Sequence, residues 1–220
     1  ARVQREAQVI NNLVSLRTAE AQFRLDKGYF TADLDSLIDY LKVTPKKEVY
    51  KVGSLTEKQL EDGMTENKAA KILERARLKA QRKMNFQGTD SLNMLYNYIW
   101  ENDREVKAEG LQGFRRDTIL TNMIQSLYKG QYTEENIDEI KYIPYTDNVK
   151  FEVETNNEYT TSQGIKVPIF EIRAHYNTYL HDLNAQERAN IIDKEEKLDH
   201  YPGLKVGSVD APNNNAGNWE

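Results

Sequence analysis

RVQREAQVINNLVSLRTAEAQFRLDKGYFTADLDSLIDYL, residues 2–41, decides the fold. Between Arg2 and Leu25 the apolar residues Val3, Ala7, Ile10, Val14 and Ala21 fall on one stripe at helical spacing, and Val9, Leu13, Leu16 and Phe23 form a second line beside it. Arg2, Arg5, Glu6, Gln8, Asn12, Arg17 and Glu20 occupy much of the remaining surface. No Pro or Gly interrupts the run before Gly28, which suits the left-handed position just past a helix end. About 25 residues at 1.5 Å each make a rod of roughly 37 Å, longer than one packing face of a domain this size needs. Two faces are therefore expected to be covered. One packs on the body of the domain; the other carries Val9, Leu13 and Leu16 as interaction candidates. The competing account is that the next helix covers that face within the monomer.

After Gly28, Thr31 or Asp33 can cap a second helix through its side-chain oxygen. Leu34, Leu37, Ile38 and Leu41 give that helix a clean apolar stripe, and Tyr29 and Phe30 are placed to wedge between the two. Residues 1–41 thus read as a helical hairpin.

Composition bounds the rest. The chain has 220 residues, enough for one domain of good size or a domain with an insertion. It has no cysteine, which excludes a disulfide framework, a thiolate metal site and a cysteine nucleophile. A net charge of −5 does not favour nucleic acid as the general partner. A mean hydropathy of −0.78, with no apolar run of about 18 residues, excludes a transmembrane helix within these residues.

Further along, Glu48–Val52 reads as a short strand, and Thr56 with Gln59 as a capping box for a helix ending at Gly63. Thr65 caps a helix from Glu66 to about Met84 that carries Lys68, Lys71, Arg75, Arg77, Lys79, Arg82 and Lys83 against Glu66 and Glu74 alone. Such a helix suits an anionic surface; the plainer alternative is a solvated face. Lys71, Arg75 and Arg82 are its interaction candidates. Asn85-Phe86-Gln87-Gly88 breaks the pattern, and Ser91 to about Lys107 is a further helix, so that residues 66–112 form a helical insertion. The sheet-rich part is expected over 113–209. It includes a strand from Phe114 to Leu120, a helix over Asn122–Tyr128, and a strand carrying Val149, Phe151 and Val153. A long polar loop leads to a strand over Ile165–Ala174, then a helix opened by Asn184 and a last strand over Leu204–Val206. The Asn-rich tail, residues 210–220, disfavours regular structure, yet Trp219 within it is expected to dock on the domain or on a partner.

Few residues carry recognisable chemistry. His175 and His181 lack the spacing of a helical metal pair, and the tail's Asp210, Asn213 and Glu220 fail the EF-hand order because Pro212 occupies a ligand position. Glu152 and Glu154 share one face of a strand, as a glycosidase pair does, but a solvent-facing polar edge is much the better account of them. No phosphate loop, dinucleotide fingerprint or Gly-x-Ser-x-Gly is present. No cofactor and no catalytic or metal-binding residue is expected.

LRTAEAQFRLDKGYFTADLDSLIDYL resembles the region that follows the membrane segment in type IV pilins and pseudopilins. Over most of the chain INNLVSLRTAEAQF, KVGSLTEKQLEDGMTE, RRDTILTN, IKYIPYTDNVKFEVE, GIKVPIFEIRAHYNTYLHDL and YPGLKVGSVDAPNNNAGNWE resemble a family of single-pass envelope proteins of Bacteroidota-type bacteria. These resemblances imply no catalytic residues. They imply a pilin-like outline and a membrane-spanning segment running into the first helix, which fits a chain that opens at Ala1 already in helical pattern. The expected fold is α+β: a long N-terminal helix and short helices on a small antiparallel sheet, with a helical insertion. The expected role is a non-enzymatic structural or assembly component of the cell envelope, on the periplasmic side of the inner membrane. Its partners would be other envelope proteins or further copies of itself. A glycan-binding protein or hydrolase using Glu152 or His175, and a soluble adaptor whose basic helix binds an anionic surface, are the alternatives.

Overall fold

A computed structural model describes residues 1–84 and 91–220. The expected break at Asn85-Phe86-Gln87-Gly88 lies outside them. The architecture is α+β, with a long N-terminal helix, several short helices and two small antiparallel sheets of two and three strands. The chain divides into two compact units, Ala1–Lys46 with Asn122–Glu220, and Lys47–Thr121.

In the first unit α1 (Arg2–Lys27) ends on Gly28, whose φ of 88° lets its amide close on the Arg24 carbonyl at 2.7 Å. Asp33 then caps α2 (Leu34–Val43), its carboxylate accepting from the amides of Asp35 and Ser36. α1 lies over one face of a three-stranded antiparallel sheet formed by β3 (Glu152–Asn156), β4 (Ile169–His175) and β5 (Gly203–Gly207), with β4 in the centre, and α2 packs along α1. In this register Ile172 lies opposite both Val153 and Val206. Phe170, Ile172 and Ala174 point from β4 into the core, where they meet Leu13, Leu16, Leu37 and Ile38. Phe30 does not wedge between the helices as expected. It is buried against Phe170 of the sheet, ring centroids 4.6 Å apart, while Tyr29 stays half exposed at the edge of Phe23. α7 (Met123–Tyr128) and the 3-10 turn Ile137–Lys141 add to the same core.

β4 is shorter than the expected Ile165–Ala174 strand: Lys166 bridges Thr160 and the Val167 amide reaches the Tyr159 carbonyl, but Pro168 has no amide to donate and breaks the ladder, so β4 proper starts at Ile169. β3 likewise starts at Glu152, and Val149 is exposed. The tail is ordered along β5. Val206 bridges Gly217, Asn218 accepts from the Lys205 amide and donates to the Gly203 carbonyl, and Trp219 packs on the core.

The second unit opens with β1 (Lys46–Val52) and closes with β2 (Arg115–Thr121), which pair as a two-stranded ribbon. The strand expected at 114–120 thus joins β1 rather than the larger sheet. Between them, α3 (Glu57–Glu61) starts on the Thr56–Gln59 capping box, with both of its reciprocal bonds made. α4 (Glu66–Lys83), α5 (Ser91–Asn102) and α6 (Arg104–Ala108) bury a separate core centred on Leu73, Leu95 and Ile99. Residues 66–112, read as an insertion from the sequence, lie wholly inside this unit.

Two glycines separate backbone strain from steric exclusion. A Cβ on Gly28 meets nothing within 4 Å, so Gly28→Ala should cost only its left-handed conformation, about 1 kcal/mol. On Gly207, also at positive φ, a Cβ would run into the Phe170 carbonyl oxygen across the sheet. Gly207→Ala is therefore expected to lower the melting temperature clearly more than Gly28→Ala; equal melting curves would contradict this packing.

Candidate interaction site

α1 presents two apolar faces. Val9, Leu13 and Leu16, expected to meet another subunit, have no exposed surface; α2 and the sheet cover them within the first unit. The outward line is the other stripe apart from Ile10, which packs against the core. Val3 is 77% and Leu25 79% exposed, Ala7 and Ala21 are exposed and Val14 is half-buried. At 100° per residue these positions centre on nearly the opposite side of the helix from Val9, Leu16 and Phe23. The two stripes are both legible in the sequence, but their roles are exchanged. Side-chain size was the available signal: Leu13, Leu16 and Phe23 gain more from burial than Ala7 and Ala21. Beside Val14 lies a shallow groove of about 290 Å³ shared with Thr18, Leu127 and Tyr128.

Ion pairs and hydrogen bonds flank α1. Arg5 forks onto the Asp182 carboxylate at 2.5 and 2.9 Å, which holds that carboxyl down to a pKa of about 2. Arg17 donates to Glu220 and to the Asn215 carbonyl, tying the tail to the helix. Trp219 is thus docked on the first unit itself rather than free for a partner.

Glu20 is the unusual group of this helix. It is wholly buried; one carboxyl oxygen accepts from the Thr31 amide at 3.1 Å and the other has no hydrogen-bond partner among the described residues. Burial drives its pKa up to about 8, against a partial opposing pull from the Thr31 bond.

On α4, Lys71, Arg75 and Arg82 are all exposed. Arg75 pairs with Glu105 at 2.5 Å. Lys71 and the half-buried Arg77 line a cleft of about 400 Å³ with Tyr96, Arg116 and Asp117. Its floor is tightly engaged. Asp117 accepts from the Tyr96 hydroxyl at 2.5 Å and from Arg115, whose guanidinium lies over the Tyr96 and Tyr50 rings. Burial and Asp117 together push the Tyr96 hydroxyl upward. Arg116 is held by Glu66 and the carbonyls of Val52 and Gly53. The charged run Arg115-Arg116-Asp117 was the sequence signal for this cluster, hidden inside a stretch read simply as strand.

The remaining candidates do not converge. Glu152 and Glu154 do share a face, but both clamp Arg173 at 2.8 and 3.0 Å, and Arg173 also reaches the buried Glu171. The Arg173 bond lowers the Glu154 pKa, the reverse of what a general acid needs. His175 caps α8 (Tyr176–Tyr179), His181 bonds the Thr178 carbonyl, and His200 pairs with Glu195 beyond α9 (Ala185–Lys197). Among the described residues no three His, Asp or Glu side chains stand together to hold a metal ion. Comparison with protein families, curated proteins and solved structures gives no match.

Glu20 makes stability depend on pH. Its folded pKa, near 8, exceeds the ordinary value of 4.5, so between those values the unfolded chain gives up a proton that the folded chain keeps. The resulting penalty is absent below about pH 4.5, grows as pH rises, and is complete above about pH 8 at on the order of a few kcal/mol. Glu20→Gln should therefore gain in melting temperature over wild type on going from pH 5 to pH 8. An identical difference at both pH values would show that Glu20 does not titrate in this window.

Proposed function

We propose that this protein is a non-enzymatic structural or assembly component of the bacterial cell envelope, anchored at the membrane and joined to its neighbours through the outer face of α1. The observation that carries the reading is the division of α1 into opposed apolar faces. One is spent on the core through Leu13 and Leu16, while Val3, Ala7, Ala21 and Leu25 remain open to solvent. Arg17, on the same line at mid-helix, is taken up by the tail, and the open apolar positions lie to either side of it. Small side chains at Ala7 and Ala21 favour close approach of a second helix, and Val3 and Leu25 add apolar area at either end. The sequence resemblance to pilins, pseudopilins and single-pass envelope proteins supports the envelope setting and the anchor.

A single-cysteine crosslinking scan tests it, because the wild-type background contains no cysteine. In cells expressing the native reading frame, cysteines at Val3, Ala7, Ala21 and Leu25 are expected to form adducts with another chain. Cysteines at Leu13 and Leu16, sealed in the core, are not. Absence of adducts at every outward position would sink the assembly reading.

A further inference from the structure

α4 carries a cationic face that the assembly reading leaves aside and the fold engages in part, through Lys68 on the Gly63 carbonyl and Arg75 on Glu105. Lys68, Lys71, Arg75, Lys79 and Arg82 are all exposed and fall within an arc of about 80° on the helix, over a length of roughly 21 Å. Of its two acidic residues, Glu66 is drawn off by Arg116 and Glu74 lies outside the arc. Arg75 is the member of the row that has an ionic partner, Glu105; Lys71, Lys79, Arg82 and the following Lys83 have no salt-bridge partner among the described residues. At the edge of the arc stands Leu78, 45% exposed, and at the helix end Met84, 42% exposed.

The opposite side of α4 is committed to the core of the second unit through Ala69, Leu73, Ala76 and Ala80. The helix is therefore fixed by its apolar side, with its charged row exposed.

We propose that this face of α4 docks on an anionic lipid surface. Cations in a row, most of them without an ionic partner among the described residues, create a local positive potential that a sheet of phosphate and carboxylate headgroups complements. The chemistry favours lipid over nucleic acid on two counts. α4 contains no aromatic residue on which a base could stack. The exposed Leu78, at the edge of the arc, gains by entering the headgroup region, whereas against a phosphodiester backbone it would stay in water. The long Lys and Arg stems lie along such a surface with their charges still hydrated. The inference rests on nothing in α1, so the crosslinking result and this one stand or fall separately.

Co-sedimentation of the full chain with vesicles is the test. Binding is expected with phosphatidylcholine vesicles containing phosphatidylserine, and not with pure phosphatidylcholine. It should weaken strongly as salt is raised. The double substitution Lys79→Glu and Arg82→Glu removes two exposed charges that have no ionic partner among the described residues and should reduce partitioning roughly ten-fold or more. Should that variant fail to give a wild-type melting curve, the charge-neutral set Lys71→Gln, Lys79→Gln and Arg82→Gln supplies the same reading, again with a loss of roughly ten-fold. Equal binding to neutral vesicles, no binding to either kind, or unchanged binding by the folded variant overturns the proposal. So does tighter binding to an RNA or DNA oligonucleotide than to the anionic vesicles, which would assign the face to nucleic acid.

Discussion

An isolated helix in water gains little from its own hydrogen bonds, and even a long one needs an apolar face buried elsewhere to be fully populated. α1 meets that need through Val9, Leu13, Leu16, Ala19 and Phe23, all sealed by the first unit. The rest of that unit is arranged to supply the cover. The left-handed turn at Gly28 reverses the chain so that α2 can lie along α1, and Phe30 immediately after it plugs the sheet at Phe170. β4 and β5 bring Ile172, Ala174, Leu204 and Val206 up beneath the helix. The sheet's far face is left to Arg173, Lys205 and their glutamate partners.

The second unit answers a different constraint. A two-stranded ribbon such as β1–β2 is marginal in water by itself. Here it is reinforced by helices with their own apolar core and by arginines at the base of β2. Arg115 and Asp117 form an ion pair in which both side chains are nearly wholly buried. Such a pair contributes little net stability unless its remaining hydrogen-bonding capacity is satisfied. Tyr96 and Asn93 satisfy it, and the Tyr50 and Tyr96 rings cover the guanidinium.

Much of this was legible in the sequence where a single local cause operates. Gly28, Asp33, Thr56 and Thr65 act as helix stops and caps because the relevant hydrogen bonds are made within a few residues. Tertiary choices were not legible. Periodicity marks two stripes on α1 but does not say which of them faces the sheet, since that depends on residues more than a hundred positions away. The pairing of β2 with β1 is likewise invisible in the alternation of either strand. Glu20 sits among core residues at helical spacing, and a carboxyl there reads as surface until its surroundings are known. The basic face of α4 was visible as composition; what the fold adds is that the face is exposed and, at Lys71, Lys79 and Arg82, without an ionic partner among the described residues.

The ribbon at the base of the second unit also bears on how the chain closes on itself. Bringing Lys46 and Asn122 together across a flexible loop of about 75 residues would cost on the order of a few kcal/mol in entropy. β1 and β2 are hydrogen-bonded neighbours, so once the second unit has folded its two ends already lie side by side. The first unit then meets the intervening chain as it would meet a short hairpin turn. Length between the strands becomes nearly free of cost to its stability, which is the condition under which a position in a fold can accept a whole extra module.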